Sequence, residues 1–278
     1  MDLASLIGIV LAFGAVLLSA LLEHTDLSIV VRQYSAFVLV FFGTLGATML
    51  SFPLKTFVRS VRMGVSSVFF ERNYGERGMI TQLVSFAERA RREGLLALEN
   101  EANELEDPFL RKGIQLVIDG RDAEIIRRIL ETEVSISQEQ GAKAEQVFMN
   151  LGGYSPTLGI IGTVLGLINM LQGLARATGE GNVAGSIGEA TASAFVATFF
   201  GIMFANLLWL PMGTKIKERT ARMLLLREIQ IEGILSIQAG DNPRLLEEKL
   251  IAFLEPEQRE VEVEAEGAAV TEPAGATA

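Results

Sequence analysis

The uncharged run Leu3 to Leu22, LASLIGIVLAFGAVLLSALL, decides the class of this fold. Its 20 residues lie between Asp2 and Glu23 and match the length that an α-helix needs to cross a hydrocarbon core of about 30 Å. A cleaved secretory signal would begin with basic residues rather than with Asp2. We therefore interpret the run as a retained membrane span.

Three further apolar stretches have the same character. Span two runs from Ser35 to Leu54, span three lies within residues 146–175, and span four lies within residues 190–214. No alternating pattern typical of β-strands occurs between the spans. The sequence therefore predicts an all-α membrane protein with four transmembrane helices, arranged two plus two, and a cytoplasmic helical domain between the pairs.

The composition excludes several kinds of chemistry. The chain has no cysteine, so it forms no disulfide, iron–sulfur cluster or thiolate zinc site, and its single histidine, His24, has no second histidine to complete a metal site. Most of the net charge of −10 comes from an acidic tail, which lacks aromatic residues and which we expect to be disordered. No basic, aromatic surface suited to nucleic acid occurs. We expect no metal, no cofactor and no enzymatic activity.

The distribution of Lys and Arg beside the spans predicts the orientation. Basic residues are concentrated after spans two and four, whereas the connections 23–34 and 176–189 carry only Arg32 and Arg176. Because cytoplasmic loops are enriched in positive charge, we expect an inner-membrane protein with both termini in the cytoplasm. The predicted segments are a first transmembrane hairpin (1–54), a cytoplasmic helical domain (55–145), a second transmembrane hairpin (146–214), cytoplasmic C-terminal helices (215–254) and the disordered acidic tail (255–278).

The 91 residues between spans two and three indicate several helices. Gly94 is a candidate end of the first helix, Asp107 and Pro108 are a cap and a first-turn proline, and Gly120 precedes a helix that begins after Asp122. We expect this last helix to continue nearly unbroken into span three. Apolar residues at helical spacing predict two buried stripes: Ile80, Leu83, Val84, Ala87 and Ala90 in the first helix, and Ile125, Ile126, Ile129 and Leu130 in the last.

Glycines and hydroxyls dominate the polar pattern of spans three and four. The glycines of span three lack the strand and the lysine of a phosphate-binding loop, so we interpret them as packing glycines: Gly152, Gly153, Gly159, Gly162 and Gly166. The cores of both spans carry no charged side chain. An ion-coupled function would therefore require a second polypeptide to supply an Asp or Glu. The alternative is that the hydroxyls serve helix packing alone.

Four ordered strings carry a resemblance to a known family. They are RREGLLALE at 91–99, VIDGRDAE at 117–124, GYSPTLGIIGTVLG at 153–166 and EGILSIQAGDNPR at 232–244. Together with the order of spans, they resemble the MotA/PomA family of flagellar motor stator subunits over about residues 3–254. The ExbB and TolQ proton-channel energisers of envelope proteins are a related alternative, but their pattern has three spans.

The resemblance implies partners and a function. A ring of five such chains would surround two copies of a MotB-like single-span subunit, which brings the membrane aspartate that this sequence lacks. Flow of a coupling cation, sodium or proton, would turn the ring and generate torque on the rotor protein FliG. The resemblance also implies that Arg91, Arg92 and Glu99 contact the rotor and that Pro156 and Pro211 couple ion passage to motion.

Three threonines are candidates for the ion route. Thr191 and Thr198 are seven residues apart and share a helix face within about 20°, and Thr163 lies in the glycine-lined face of span three. By resemblance, Thr163 and Thr198 align with threonines of sodium-driven stators, whereas Ala197 departs from the sodium-type Thr-Thr pair. Proton-driven members also carry a threonine at the second site. Sodium is slightly favoured and proton coupling stays open.

Overall fold

The computed structural model describes residues 3–24, 27–69, 75–176 and 183–254, and every regular element in them is helical. The all-α prediction is confirmed. The helices are α1 (Leu3–Leu22), α2 (Leu27–Arg32), α3 (Tyr34–Ser51), α4 (Leu54–Phe69), α5 (Glu76–Glu93), α6 (Glu99–Glu104), α7 (Pro108–Ile118), α8 (Ala123–Arg176), α9 (Val183–Phe204), α10 (Leu210–Ala239) and α11 (Pro243–Ile251). The acidic tail lies outside the described residues.

Four helices are long and apolar enough to cross a membrane: α1, α3, α8 and the helical stretch that begins with α9. Helix α3 ends at Ser51, three residues before the predicted end of span two, because Pro53 favours the extended conformation of Phe52. Helix α9 begins at Val183, seven residues earlier than expected. The connection between α1 and α3 contains α2, which the sequence analysis did not predict.

Two helices are much longer than a membrane span. Helix α8 has 54 residues, which confirms that the last helix of the segment between spans two and three continues into span three. Helix α10 has 30 residues and follows directly on a π-helical turn, Ala205–Trp209, at the end of α9. Neither helix is amphipathic along its whole length.

The chain divides into two compact units. The first takes the described residues up to 72 and those from 139 to 220, and the second takes those from 73 to 138 and those from 221 onward. In the first unit a core forms around the aromatic rings of Phe57, Phe148 and Trp209, together with Val147 and Ile216. The predicted membrane boundaries remain predictions, because this division follows packing and not the position of a bilayer.

The second unit has a helical core that the sequence largely anticipated. Gly94 ends α5 with a φ of 88°, and Asp107 caps α7 by accepting a hydrogen bond from the amide of Phe109 at 3.0 Å, with Pro108 as the first residue. Gly120 has a φ of 71° between α7 and α8. The largest fully buried side chains of this core are aliphatic: Leu83, Leu98, Leu110, Ile114, Ile126, Leu130, Ile229, Ile234 and Ile237.

A charged network supports this core. Arg227 donates to Asp107 at 2.6 Å, Gln230 donates to the same carboxylate oxygen at 2.8 Å, and the Arg227 guanidinium lies 4.5 Å from the centre of the Phe109 ring. Partial burial raises the pKa of Asp107, but the hydrogen bonds from Gln230 and Arg227 outweigh it and hold the pKa below its usual value of 3.8. The carboxylate is therefore charged at neutral pH.

Two sequence-based expectations were wrong at single residues. Ile125 is 46% exposed and lies outside the buried stripe of α8, because neighbouring helix positions differ by about 100° and Ile126 takes the core-facing one. Gly153 has no atom within 4 Å of a built Cβ, so it packs against no described part of the chain, in contrast to Gly152.

Candidate functional site

Helices α8 and α9 meet along a seam of small residues. A Cβ atom built at Gly162 would lie 2.5 Å from the Cβ of Ala197, and one built at Gly166 would lie 2.7 Å from that of Ala194. At Gly201 the nearest atom would be the carbonyl oxygen of Ser155, at 2.8 Å. Small residues allow membrane helices to approach closely. The prediction of packing glycines is therefore confirmed at Gly159, Gly162 and Gly166.

Two of the predicted ion-route threonines face each other across this seam. The Thr163 hydroxyl contacts the Thr198 hydroxyl and lies 3.1 Å from the carbonyl oxygen of Ala194 and 3.2 Å from that of Gly159. Both threonines are half-buried. A hydroxyl has one proton to donate, so Thr163 cannot donate to all three of these partner oxygens at once. The seam thus holds a small cluster of oxygen atoms between two helices.

Thr191 lies apart from this pair. Its hydroxyl donates to the carbonyl oxygen of Ile187 at 2.7 Å and lies 3.2 Å from the sulfur of Met170. Seven helical residues separate Thr191 from Thr198, which is about 10 Å along the axis of α9. The structure therefore brings together Thr163 and Thr198 and places Thr191 two turns away on the same helix.

Two polar features in the first half of α9 were not among the predicted site residues. Glu189 is exposed and lies within the helix, because α9 begins earlier than the apolar run suggested. Ser193 donates to the side-chain oxygen of Gln33 at 2.9 Å and so joins α9 to the start of α3. The pairing of Ser193 with Gln33 spans 160 positions and leaves no signal in a single sequence.

The two predicted coupling prolines occupy different settings. Pro156 is half-buried inside α8, where its ring removes the amide that would bond the carbonyl of Gly152, and its Cα would lie 3.2 Å from a Cβ at Gly201. Beside it, the Ser155 hydroxyl is buried without a partner among the described residues. Pro211 is exposed at the second position of α10, directly after the π-helical turn. Prolines and π-turns are common causes of helix bends.

The predicted rotor-contact residues surround a tight turn. Helix α5 ends at Glu93, and a 3₁₀ turn, Leu95–Leu98, leads into α6 at Glu99. Arg91, Arg92 and Glu99 are all exposed, and the ion pairs found among the described residues involve none of them. Leu96 is 72% exposed at the tip of the turn. Sequence periodicity did not single out this residue.

Comparison with known proteins decides the family. Residues 101–229 match the model of the MotA/TolQ/ExbB proton channel family. Motility protein A of Bacillus subtilis is 35% identical over 260 residues, which cover 93% of both chains. The chain belongs to the MotA/PomA family of flagellar motor stator subunits. It is an ion-channel subunit of the stator and a multi-pass inner-membrane protein.

Solved structures extend this similarity to three dimensions. The structure of C. jejuni MotAB matches with a TM-score of 0.83 at 31% identity, covering 92% of this stator subunit and 97% of the other chain. The flagellar MotAB stator complex from Bacillus subtilis matches with a TM-score of 0.82 at 33% identity, covering 91% and 96%. The family consists of stator and ion-channel subunits that are not known as enzymes. Among the described residues, no three acidic or histidine side chains could hold a metal ion.

Proposed function

We propose that this stator subunit conducts its coupling ion only together with a MotB-like single-span subunit, which supplies a membrane aspartate. The observation that carries the proposal is the lack of charge in α1, in α3 and in residues 146–175 of α8, while α9 contains a single charged residue, Glu189, near its outer end. An ion path through a bilayer usually needs an ionisable group. Two solved structures that match this chain are MotAB complexes, which supports this partner for the present chain.

Five such chains would form a ring around two copies of the partner. Apolar side chains of α8 support an assembly, because Ile160, Val164 and Leu171 are each at least half exposed in the single chain. Helix α1 buries no residue at all. Part of this surface faces lipid, and the rest is available to neighbouring chains and to the partner. The mass of the detergent-solubilised complex tests the ring of five directly.

Both termini and the second compact unit would lie in the cytoplasm. The distribution of Lys and Arg beside the spans supports this orientation. The absence of cysteine makes it simple to test, since a single introduced cysteine is the only thiol of the chain. A membrane-impermeant maleimide should label His24→Cys in intact spheroplasts and Glu99→Cys only after the membrane is opened. Labelling of Glu99→Cys in intact spheroplasts would contradict the orientation.

The Thr163–Thr198 pair would line the route of the ion. Two hydroxyl oxygens and the carbonyl oxygens of Ala194 and Gly159 lie close together in the seam. Hydroxyl and carbonyl oxygens can replace part of the hydration shell of sodium, whereas a proton is carried by the partner's carboxylate and needs no such cluster. Sodium is therefore the coupling ion that we favour. Coupling to protons is the second candidate, supported by Ala197 beside Thr198.

The experiment that tests the function varies external sodium at fixed pH. The chain and its partner restore swimming to a stator-deleted strain, and swimming speed is measured against sodium with and without a protonophore. Speed that rises with sodium and survives the protonophore supports sodium, and motility that persists without sodium but stops with the protonophore shows proton coupling. Thr163→Val, which keeps the shape and removes the hydroxyl, should raise the sodium needed for half-maximal speed. Thr157→Val on the exposed face of α8 is the matched control.

The rotor-facing surface would comprise Arg91, Arg92, Leu96 and Glu99. Exposed charges steer a partner and fix its orientation, while a central apolar side chain supplies contact area. The tight turn at Gly94 brings the end of α5 and the start of α6 together, so all four residues belong to one short segment. The proposed partner of this surface is the rotor protein FliG.

Pro156 and Pro211 would couple ion passage to motion of the helices. Each removes one main-chain hydrogen bond of its helix and leaves a carbonyl group free to exchange partners. Pro156 lies against the glycine seam, and Pro211 follows the π-helical turn. Such local defects allow a helix to bend at a defined point rather than along its whole length.

A further inference from the structure

An apolar cavity of about 880 Å³ lies inside the first compact unit, between α1 and the helices packed behind it. Its walls include Gly8 and Phe13 of α1, Phe41 of α3, Phe57 of α4, and Trp209 and Met212 near the π-helical turn. The volume falls within the range of about 300–1,000 Å³ that is usual for ligand-binding sites. Protein interiors are otherwise closely packed, so a space of this size within one chain calls for an occupant.

Two hydrogen-bond donors lie among these apolar walls. Trp209 is 8% exposed, and its indole nitrogen is buried without a hydrogen-bond partner among the described residues. Lys215 is the only charged side chain among the described residues that line the cavity, and its ammonium donates to the hydroxyl of Ser5 at the start of α1.

We propose that this cavity binds an anionic phospholipid, with an acyl chain among the aromatic walls and the phosphate group near Lys215. The apolar lining suits hydrocarbon and not water, since a water molecule needs two or more polar partners. Basic pockets between membrane helices bind anionic lipid headgroups, and tryptophan favours the boundary between hydrocarbon and headgroups.

The cavity borders the π-helical turn between α9 and α10. Leu207, Leu208 and Trp209 of the π-helical turn and the neighbouring Pro211 line the same space. An acyl chain in the cavity would therefore pack against the turn on the side that the protein itself leaves open. The cavity includes neither the Thr163–Thr198 pair nor the rotor-facing residues, so lipid binding is independent of the coupling ion and of the contact with the rotor.

Photo-crosslinking tests the proposal on the full chain purified with its partner. The complex is placed in nanodiscs that contain phosphatidylglycerol or phosphatidylcholine with a diazirine near the end of one acyl chain, and crosslinked peptides are identified by mass spectrometry. We expect phosphatidylglycerol to label the peptides that carry Phe41, Phe57 and Trp209. Phosphatidylcholine should label them several-fold less, because it lacks the net negative charge that Lys215 attracts.

Two matched pairs of variants make the test specific. Gly8→Leu places a side chain in the cavity, and Gly14→Leu adds the same side chain elsewhere on α1; neither glycine has an atom within 4 Å of a built Cβ, so both variants are expected to fold. Gly8→Leu should lower the labelling about tenfold and Gly14→Leu should leave it unchanged. Lys215→Gln should remove the preference for phosphatidylglycerol, whereas Lys217→Gln, at an exposed lysine outside the cavity, should keep it.

Three outcomes would overturn the proposal. The first is full labelling of the cavity peptides in Gly8→Leu. The second is equal labelling by the two lipids in the wild-type chain, which would show a general hydrocarbon contact without headgroup recognition. The third is the absence of lipid labelling together with crosslinks from Phe13→photo-methionine to a neighbouring copy of the chain, which would show that protein fills the space.

Discussion

The guanidinium of Arg227 lies 2.6 Å from the carboxylate of Asp107 and joins the middle of α10 to the first turn of α7. Asp107 has two tasks in this position, because its other oxygen accepts a hydrogen bond from the amide of Phe109 and caps α7. Both side chains of the pair are only about one-fifth exposed. Removal of one charge would therefore leave the other poorly solvated.

Asp107→Ala should lower the local free energy of unfolding of α7 by about 3 kcal/mol, because it removes the cap and leaves Arg227 without its partner. Hydrogen exchange of α7 peptides, followed by mass spectrometry on the purified chain, measures this change. Glu133→Ala removes the more exposed pair with Lys112 and should cost less than about 1 kcal/mol. Equal exchange in the two variants would contradict a special role for the Asp107 network.

The lowered pKa of Asp107 predicts that the second compact unit loses stability at acidic pH. The pKa of Asp107 in the folded chain lies below 3.8, so its contribution to stability is present above pH 3.8 and is lost as the pH falls through the lower, folded value. The difference in melting temperature between the wild type and Asp107→Asn should therefore be constant near neutral pH and shrink below pH 3.8. A difference that is unchanged at pH 2.5 would argue against the ion pair as its source.

Gly201→Leu should separate α8 from α9. Its side chain would begin 2.8 Å from the Ser155 carbonyl oxygen and 3.1 Å from the Cα of Gly159, so main chain would have to move. Overpacking of this kind costs about 1–3 kcal/mol or more. We expect loss of motility and a lowered yield of complex with the partner. Gly173→Leu, which meets no atom within 4 Å, serves as the control and should swim.

Reversal of both charges in Arg91→Glu, Arg92→Glu should abolish torque and preserve the complex. The two side chains are exposed, so folding and ion passage should be little changed, and reduced swimming should accompany normal co-purification of the partner. Arg128→Glu on the exposed face of α8 is the control for a general charge effect. Normal swimming of the double variant would show that these two arginines do not contact the rotor.

Pro156→Leu should stop motility without preventing assembly. The substitution restores an amide that can bond the Gly152 carbonyl, so the defect in α8 is lost and the helix stiffens at that point. The measurements are swimming, partner co-purification and insertion into the membrane. If assembly fails together with motility, Pro156 serves the structure of the helix and not its coupling.

The sequence predicted features that depend on local chemistry. The length of the apolar runs determines the spans, and the caps at Asp107 and Gly94 follow from side-chain hydrogen bonding and from a positive φ, respectively. Features that depend on contacts between distant residues were missed. The packing of helices on one another determines three such features: the hydrogen bond of Ser193 to Gln33, the exposure of Leu96, and the exposure of Ile125. A single sequence does not contain that information.

The contacts of the three candidate threonines were predicted only in part, for the same reason. The seven-residue spacing placed Thr191 and Thr198 on one face, but only the packing of α8 on α9 determines that Thr163 meets Thr198 and that Thr191 faces Met170. The π-helical turn before Pro211 also had no signal beyond the proline itself.

The glycine and alanine seam between α8 and α9 has a mechanical consequence. Side chains of one helix that pack into the grooves of another resist sliding of the two helices along each other. Gly159, Gly162 and Ala197 carry no side chain or a single methyl group, so few side chains interlock across this contact. The contact of Thr163 with Thr198 joins the two helices at this point. A cation that bound these oxygens would break that contact, and fewer interactions would then oppose a shift of α8 along α9.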